Sequence, residues 1–302
     1  MSVDVDRRVP LKVLEKLASL ASRYGMLMPA FKPFVRAIYE SYTKKFVSKR
    51  NVNMSYELKI EARRAIHVWR ALLCSLALHE EQFARPFDSF RPNYAKYIVE
   101  FDASLNGLGV VLYEKVDYDE SDLMEVAIGA LSVDITFFEF GSSAKYQNTS
   151  EYIGALLGIV VTMRFLLQKG VHLSAINLRD DSKVALAWMD DASTRGSFAS
   201  RAIALLALLS ARQQIFISET IHIFGEENGK ADKLSRKQSV LDVLGPGVPD
   251  MALIPGMSVI ITRILELCNP MVGKKHLEME FDIFWKEVIP FVDSLSNTPS
   301  II

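Results

Sequence analysis

The sequence predicts an α/β fold, in which a mixed five-stranded sheet with flanking helices lies between an N-terminal helical region and a C-terminal helical extension. First, residues 96–240 contain three strand-like segments in succession, followed by helical segments that alternate with two further strands. This order is typical of a mixed sheet with helices on its faces. Second, residues 1–95 and 241–302 have helical periodicity only,. We therefore expect three regions with these boundaries.

The region 1–95 has the apolar spacing of amphipathic helices. Leucine and alanine recur at helical intervals after Pro10, and Ser55 stands where it can cap a longer helix,. Arg85-Pro86 and Arg91-Pro92 have the chemistry of turns,. These residues predict a linker between the helical region and the sheet.

Charge is distributed unevenly along the chain, although the whole chain has a net charge of −1. Residues 1–95 contain 17 Lys and Arg against 9 Asp and Glu, a net of +8. Residues 96–240 have a net of −5, and residues 241–302 a net of −4. Such an asymmetry favours an N-terminal segment that faces a polyanion. Lysines and arginines that only solvate helix surfaces would give the same pattern.

The strands and helices of residues 96–240 follow in a regular order. Alternating apolar residues from Tyr97 to Phe101 predict the first strand, and Asn106-Gly107 is a hairpin signal before the second, at 109–113,. The acidic stretch from Asp117 to Glu125 predicts a solvated loop before the third strand, at 124–134. Further elements are predicted at 150–168 (helix), 172–178 (strand), 182–189 and 199–213 (helices), 215–224 (strand) and 229–235 (helix).

The C-terminal extension contains glycine and proline near its start and then two apolar helical patterns, around 260–267 and 281–292,. These patterns predict helices that pack either on the sheet domain or on a second copy of the chain. Self-association through the terminal helices is therefore one expectation.

The composition places the chain among ordinary globular proteins, with 50% apolar and 24% charged residues,. The two cysteines, Cys74 and Cys268, lie far apart and predict neither a disulfide framework nor a zinc site,. We expect an intracellular protein of the cytoplasm or nucleus, because no signal-peptide pattern is present. The apolar runs 152–163 and 202–209 fall short of the ~20 residues that span a bilayer, so they predict core helices and no membrane partner.

Four acids occupy boundaries of the predicted elements. Asp102 lies in the first strand, Glu151 in the first turn of the first sheet-domain helix, Asp181 at the end of the fourth strand and Asp232 in the first turn of the last helix. Clustered carboxylates repel one another unless a cation neutralises them. Their hard oxygen ligands suit Mg²⁺ or Mn²⁺, and two such ions can support phosphodiester cleavage. The sequence therefore predicts a two-ion catalytic site.

Each acid also has a structural explanation. Glu151 and Asp232 are favoured in a first turn by the helix dipole, and Asp181 can cap the helix that follows it. Asp102 is harder to explain in this way, because aspartate is depleted in strands. Asp180 adjoins Asp181, and either one can face the metal. The four acids together, in this order, favour the catalytic interpretation.

Several motifs resemble one family. Phe101 to Gly109 resembles the first hairpin of the ribonuclease H domain fused to reverse transcriptases, and Thr149 to Leu156 resembles its first helix. Asp181-Ser182 is similar to the third acid of that domain. Phe224 to Arg236 resembles the closing Gly-x-x-Asn-x-x-Ala-Asp-x-Leu-Ser-Arg signature of retroelement domains of the DIRS and gypsy types. The resemblance covers about residues 96–237.

The resemblance implies a ribonuclease H-like fold and an endonuclease that cleaves the RNA strand of an RNA–DNA hybrid. Asp102, Glu151 and Asp181 would hold one ion, and Asp102 and Asp232 the other. Asp181 is preferred to Asp180 because the family's acid precedes a small polar residue. Selectivity for RNA would come from contacts to 2′-hydroxyls.

A weaker resemblance extends upstream. Val52-Asn53-Met54-Ser55 and the later Trp69 to Leu73 are similar to the stretch that precedes this domain in DIRS-type retroelements, where it forms the thumb and connection of the polymerase. A helical packing domain would explain the same residues. No Tyr-x-Asp-Asp motif is present, so we do not expect a complete reverse transcriptase.

The sequence departs from the family in two respects. Cellular members place a histidine in the loop before the last acid, where this chain has Glu226. The segment between Asp181 and Asp232 lacks a basic, tryptophan-rich protrusion that binds the hybrid, and Trp188 is predicted to lie in the core. Hybrid binding would then depend on the basic N-terminal region. The histidines have no metal-ligand spacing and are interpreted as surface or core residues: His67, His79, His172, His222 and His276.

Two rival functions remain open at this stage. The low net charge, the acidic stretch and the missing polymerase motif favour an inactive, retroelement-derived module for nucleic-acid binding or assembly. A related nuclease that acts on DNA, such as a transposase or resolvase, would use similar acids. The closing signature favours the ribonuclease, and the presence of all four acids favours an active enzyme.

Overall fold

A computed structural model describes residues 9–27, 31–43, 55–56, 60–78, 95–119, 122–136, 144–190, 200–213, 215–268 and 279–296. The predicted linker at Arg85-Pro86 and Arg91-Pro92 lies outside these residues, as do His79, His276 and Val52 to Met54.

The N-terminal region is helical, as its periodicity predicts, with α1 (Leu11–Leu27), α2 (Lys32–Thr43) and α3 (Ile60–Leu78). The prediction that Ser55 caps a helix is wrong, because Ser55 belongs to the two-residue strand β2 (Ser55–Tyr56), which pairs antiparallel with β1 (Val9–Pro10). The third helix begins only at Ile60.

Five strands form the central sheet: β3 (Tyr97–Ala103), β4 (Gly107–Asp119), β5 (Asp122–Asp134), β6 (Ala175–Asp180) and β7 (Phe216–His222). Their order is β5-β4-β3-β6-β7. The first three strands pair antiparallel as a meander, and β6 and β7 add in parallel to β3. This confirms the predicted mixed five-stranded sheet.

The acidic stretch between the second and third strands is not the predicted loop. β4 and β5 are each 13 residues long and stay paired as far as Asp119 and Asp122. The pairing includes Val116 with Met124 and Asp117 with Leu123. Apolar residues therefore continue the strand pattern between the acids, and this pattern extends the hairpin through a segment of high charge.

One face of the sheet is covered by α4 (Ala144–Gln168), the central helix of the main core. Within it, Tyr146–Gln168 is long and apolar enough to cross a membrane, so the prediction that this segment is too short was wrong. Its most apolar window is 89% buried inside the protein, as expected of a core helix. Gly158 permits close packing on β3, because a Cβ there would lie 2.6 Å from the Val99 side chain.

The opposite face carries the short helices α7 (Gly229–Ser235) and α8 (Val240–Leu244) over a smaller apolar cluster. α7 lies directly on the β3–β4 hairpin. A Cβ at Gly109 would lie 2.1 Å from the Ala231 carbonyl oxygen, and one at Gly107 would lie 2.3 Å from the Ser235 carbonyl oxygen. Any side chain at these two positions would push the closing signature off the sheet.

The remaining helices extend the main core. They are α5 (Lys183–Asp190), α6 (Ser200–Arg212), α9 (Met257–Cys268) and α10 (Met279–Ser296), and Trp188 packs against this core as predicted. α10 is joined to α6 by the Arg212–Asp293 ion pair. The C-terminal helices thus pack on the sheet domain of their own chain. The three regional boundaries and self-association stay predictions.

Candidate metal centre

Three acids converge where two parallel strands end. β3 and β6 lie side by side, and their last recorded pair is Glu100 with Arg179. Asp102, near the end of β3, and Asp180, at the end of β6, therefore lie at the same edge of the sheet, and Asp181 follows Asp180 directly. One carboxylate oxygen from each of these three aspartates lies within 4.8 Å of the other two.

Asp180 lies deepest in this group, with an exposed fraction of 0%. It is the last residue of β6, and strand alternation directs it to the same face as the core residues Ile176 and Leu178. Its Oδ1 accepts hydrogen bonds from the Asp181 N–H (2.9 Å) and from the Asn228 amide (3.3 Å). Its Oδ2 is buried and has no hydrogen-bond partner among the residues that the structure describes.

Asp181 was preferred as the third acid on the basis of sequence, and the structure places both neighbours in the cluster. Asp181 follows β6 and does not end it, and its side chain is only partly buried. Asp180 and Asp181 can therefore both serve as ligands, because each offers a carboxylate oxygen to the cluster.

Glu151 approaches the cluster from α4 and is 4% exposed. Its Oε2 accepts the Ala103 N–H (3.1 Å), and its Oε1 accepts a hydrogen bond from the Gln147 amide (2.7 Å). Gln147 also donates to the Ala103 carbonyl. The prediction that Glu151 lies in a first turn is wrong, because α4 begins at Ala144. The favourable dipole of a helix start therefore does not explain this acid.

Asp232 lies in the first turn of α7, as predicted, on the outer side of the cluster. Its side chain is 38% exposed, and its Oδ1 accepts hydrogen bonds from Arg236 Nε (2.8 Å) and Nη2 (2.6 Å). Two hydroxyl groups fix α7 to the sheet: Ser104 Oγ, after β3, donates to the Ser235 carbonyl, and Ser132 Oγ, on β5, donates to the Leu234 carbonyl, both at 2.7 Å.

The electrostatic state of the buried acids reflects their crowding. Burial raises the pKa of Asp102 to about 6, and the charges of Asp232 and Asp181 contribute in the same direction. Burial also raises the pKa of Glu151, with repulsion from Asp102 as the next cause. The pKa of Asp180 is raised by burial first and then by Glu151. Each of these carboxylates would ionise more readily beside a cation.

These residues fit a divalent metal. Every donor is a carboxylate oxygen, which is the ligand type that Mg²⁺ and Mn²⁺ prefer. The buried Asp180 Oδ2 lacks a partner, and a buried polar atom is normally satisfied,. The centre also gathers acids whose mutual repulsion a cation would relieve.

Two residues beside the centre were missed at the sequence level. Asn228 of the closing signature is fully buried and donates to the Phe101 carbonyl (3.1 Å) as well as to Asp180. It joins β3 to β6 beneath the acids. His222, interpreted from the sequence as a surface or core residue, is exposed, and it ends β7 opposite Asp180 in the parallel ladder. In the sequence, the strand pattern of β7 continues past Thr220, and this pattern indicates that His222 lies at the end of the strand.

No protein-family model matches the sequence, and no curated protein matches it. Among solved structures, the chain is similar to the N-terminal RNase H domain of rv2228c from Mycobacterium tuberculosis, solved as a fusion with maltose-binding protein. The identity is 20%, the match covers 47% of this chain and 98% of that chain, and the TM-score is 0.30.

A second similar structure is RNase H1 from the halophilic archaeon Halobacterium salinarum. Here the identity is 19%, the match covers 47% of this chain and 93% of that chain, and the TM-score is 0.31. The assignment of the fold rests on the strand order and strand directions described above.

Proposed function

We propose that this chain is a metal-dependent endonuclease that hydrolyses the RNA strand of RNA–DNA hybrids. The observation that carries the proposal is the convergence of Asp102, Asp180 and Asp181 at the ends of β3 and β6. Glu151 and Asp232 interact electrostatically with the same group from α4 and α7. We further propose an origin in a retroelement reverse transcriptase, which the closing signature from Phe224 to Arg236 supports.

The acids divide into two ligand sets that share Asp102. We assign the buried Glu151 and Asp180, together with the partly buried Asp181, to an inner set, and the exposed Asp232 to an outer set. When bound, a pair of Mg²⁺ or Mn²⁺ ions would supply an activated water and charge neutralisation at the leaving oxygen. The chain itself would fix the carboxylates in place, through the Ala103 N–H and Gln147 at Glu151 and through Asn228 at Asp180.

We propose that His222, and not Glu226, serves as the proton-transferring group beside the acids. His222 is the last residue of β7 and is paired with Asp180 in the ladder, whereas Glu226 lies in the exposed turn that follows. A histidine near neutral pH can pass a proton to a leaving group. We expect His222→Ala to lower kcat by about 10²-fold and to leave KM within threefold, measured from hybrid-cleavage rates. A kcat unchanged in this variant would contradict the assignment.

Binding of the hybrid requires positive charge that the sheet domain lacks, because residues 96–240 have a net charge of −5. We propose that region 1–95, with its net charge of +8, supplies this surface,. Selectivity for RNA would come from contacts to the 2′-hydroxyl, which distinguishes RNA from DNA at a given position.

The proposal is tested with four end-labelled substrates: an RNA–DNA hybrid and duplex RNA, duplex DNA and single-stranded RNA of the same sequence. In Mg²⁺ or Mn²⁺ we expect cleavage of the RNA strand of the hybrid only, and none by Asp102→Asn. Cleavage of duplex DNA would indicate the DNA-directed nuclease. Hybrid binding without cleavage in either metal would contradict the enzyme and support the inactive binding module.

A further inference from the structure

Two large apolar side chains are exposed on opposite sides of the acids. Leu105 lies in the turn between β3 and β4 and is 57% exposed, and Phe224 lies two residues beyond the end of β7 and is 74% exposed. The parallel strands β3, β6 and β7 end at one edge of the sheet, and β6 carries the acid between them. Neighbouring strands lie about 4.8 Å apart, so the two turns are separated by about 10 Å.

Phe224 is held by a fixed turn. Its N–H donates to Glu227 Oε2 (3.0 Å), and its carbonyl accepts the N–H groups of Glu227 (2.8 Å) and Asn228 (3.2 Å). Its ring meets the His222 ring edge to face, with centroids 6.0 Å apart. The buried Asn228 in turn binds Asp180. The turn that presents the exposed ring to solvent thus also contains Asn228, whose side chain binds Asp180.

The turn that carries Phe224 borders the acids, and Leu105 lies three residues after Asp102 in the chain. A Cβ on Gly225, the residue after Phe224, would lie 3.0 Å from Asp181 Oδ2. Leu105 follows Ser104, whose N–H donates to the Gly107 carbonyl (2.9 Å) and whose hydroxyl donates to the Ser235 carbonyl. The edge therefore presents an apolar group, a charged centre and a second apolar group in a row.

We propose that Leu105 and Phe224 form an apolar rim that packs against the sugars of the two nucleotides flanking the scissile phosphate. The inference rests on the proposed function and adds the contacts that would position the strand. A nucleic-acid strand alternates apolar sugar faces with charged phosphates, and a phosphate would meet the acids through the divalent ions of the proposed function. A protein surface that covered both side chains would instead bury the acids between them without partners, at a high cost in free energy.

The first test uses tryptophan fluorescence in an Asp102→Asn background, which keeps the hybrid intact. Phe224→Trp is compared with Leu253→Trp, which places the same reporter at a residue that is 82% exposed in the turn Met251–Leu253. We expect saturating hybrid to quench the emission added by Phe224→Trp and to leave the emission added by Leu253→Trp unchanged. Equal responses of the two variants would overturn the rim.

The second test uses cleavage kinetics in the native background. We expect Phe224→Ala to raise KM about 5- to 100-fold, the range for loss of one aromatic contact to nucleic acid, with kcat within threefold. Leu105→Ala should have a smaller effect in the same direction, and Leu253→Ala none. If Phe224→Ala and Leu253→Ala have equal KM values and cleave normally, the proposed contact of the apolar rim with the strand is wrong, while the nuclease function remains supported. Quenching by the hybrid without cleavage would support the rim and contradict the nuclease.

Discussion

The inner and outer sides of the acid cluster are built differently. On the inner side, Glu151 and Asp180 are buried and Asp180 has an oxygen without a partner. On the outer side, Asp232 is 38% exposed and already paired with Arg236. Under the proposed function, the buried carboxylates would take their cation from solution, whereas Asp232 is already paired with Arg236 at the end of α7. The two sides should therefore respond differently to substitution, pH and metal.

The largest difference is expected in catalysis. Asp180→Asn should lower the cleavage rate on the order of 10³-fold, a loss comparable to removing a principal electrostatic group from an active site. Asp232→Asn should lower it only about 10-fold, because that acid is solvated and screened. Rates on an end-labelled hybrid at saturating Mg²⁺ measure both variants. Equal losses would show that the two sides act alike.

Stability without metal should change in the opposite sense. Asp180→Asn should raise the free energy of unfolding by about 1–3 kcal/mol at pH 8. The amide oxygen can keep both hydrogen bonds, and the neutral amide avoids the cost of either holding a proton or burying a charge at that pH. Asp232→Asn should lower it by at most about 1 kcal/mol, the usual value of an exposed ion pair. Urea unfolding in EDTA gives both numbers. Destabilisation by Asp180→Asn would indicate that its charge is compensated within the protein.

The metal-free protein should lose stability as pH rises from 5 to 8. An acid whose folded-state pKa is raised keeps a proton that the unfolded chain releases, so the free energy of unfolding falls with pH above the ordinary carboxyl pKa of about 4. Because of Asp102, the free energy of unfolding keeps falling until the pH passes the folded-state pKa of about 6. Because of Glu151 and Asp180, whose pKa values are also raised, it falls further at higher pH. Melting temperatures in EDTA should decline over this range and change less in Asp180→Asn. A melting temperature that rises from pH 5 to 8 would contradict the raised pKa values of these acids.

The exposed pair of Asp134 and Lys237 is the control for this pH effect. The pKa of Asp134 is lowered, first by its hydrogen bond from Lys237 and then by that from Thr136. Its contribution to stability is therefore lost only below pH 4, as the acid is protonated. The decline between pH 5 and 8 should persist unchanged in Lys237→Gln.

The smallest effect concerns the cation on the outer side. Arg236 occupies the Asp232 oxygen that a metal would use, so Arg236→Gln should tighten Mn²⁺ binding about two- to fivefold, the equivalent of one exposed ion pair,. Lys237→Gln removes a neighbouring charge that pairs elsewhere and should leave the affinity unchanged. Calorimetric titration of the two variants decides the point. Equal affinities would mean that Arg236 does not compete with metal.

Sequence periodicity predicted most of the sheet because each strand alternates clearly and Asn106-Gly107 marks the hairpin. It failed where local signals conflicted. The acids from Asp117 to Glu125 suggested a loop, but pairing of Val116 with Met124 continues the ladder between them. Ser55 has the chemistry of a helix cap, yet β1 recruits it into a strand. Both errors arise because strand pairing overrides local preference, with the next strand in the first case and with a distant segment in the second,.

The candidate centre was predicted in outline for a related reason. Strand ends and helix starts can be read from sequence, so Asp102 and Asp232 were found from their local positions. The contribution of Asp180 depends on which face of β6 turns toward α4, and that requires the packing of Ile176 and Leu178. The position of Glu151 depends on where α4 begins, and the polar residues before it concealed the start.

The central claim is that the converging acids bind a divalent metal. Calorimetric titration with Mn²⁺ at pH 7.5 tests it most directly, using the native chain, Asp102→Asn and, as a control, Asp242→Asn in the exposed α8 cap. The native chain and the control should bind with equal affinity, and Asp102→Asn should bind at least 10-fold more weakly, since a shared ligand is lost. Equal binding by all three proteins would contradict the claim.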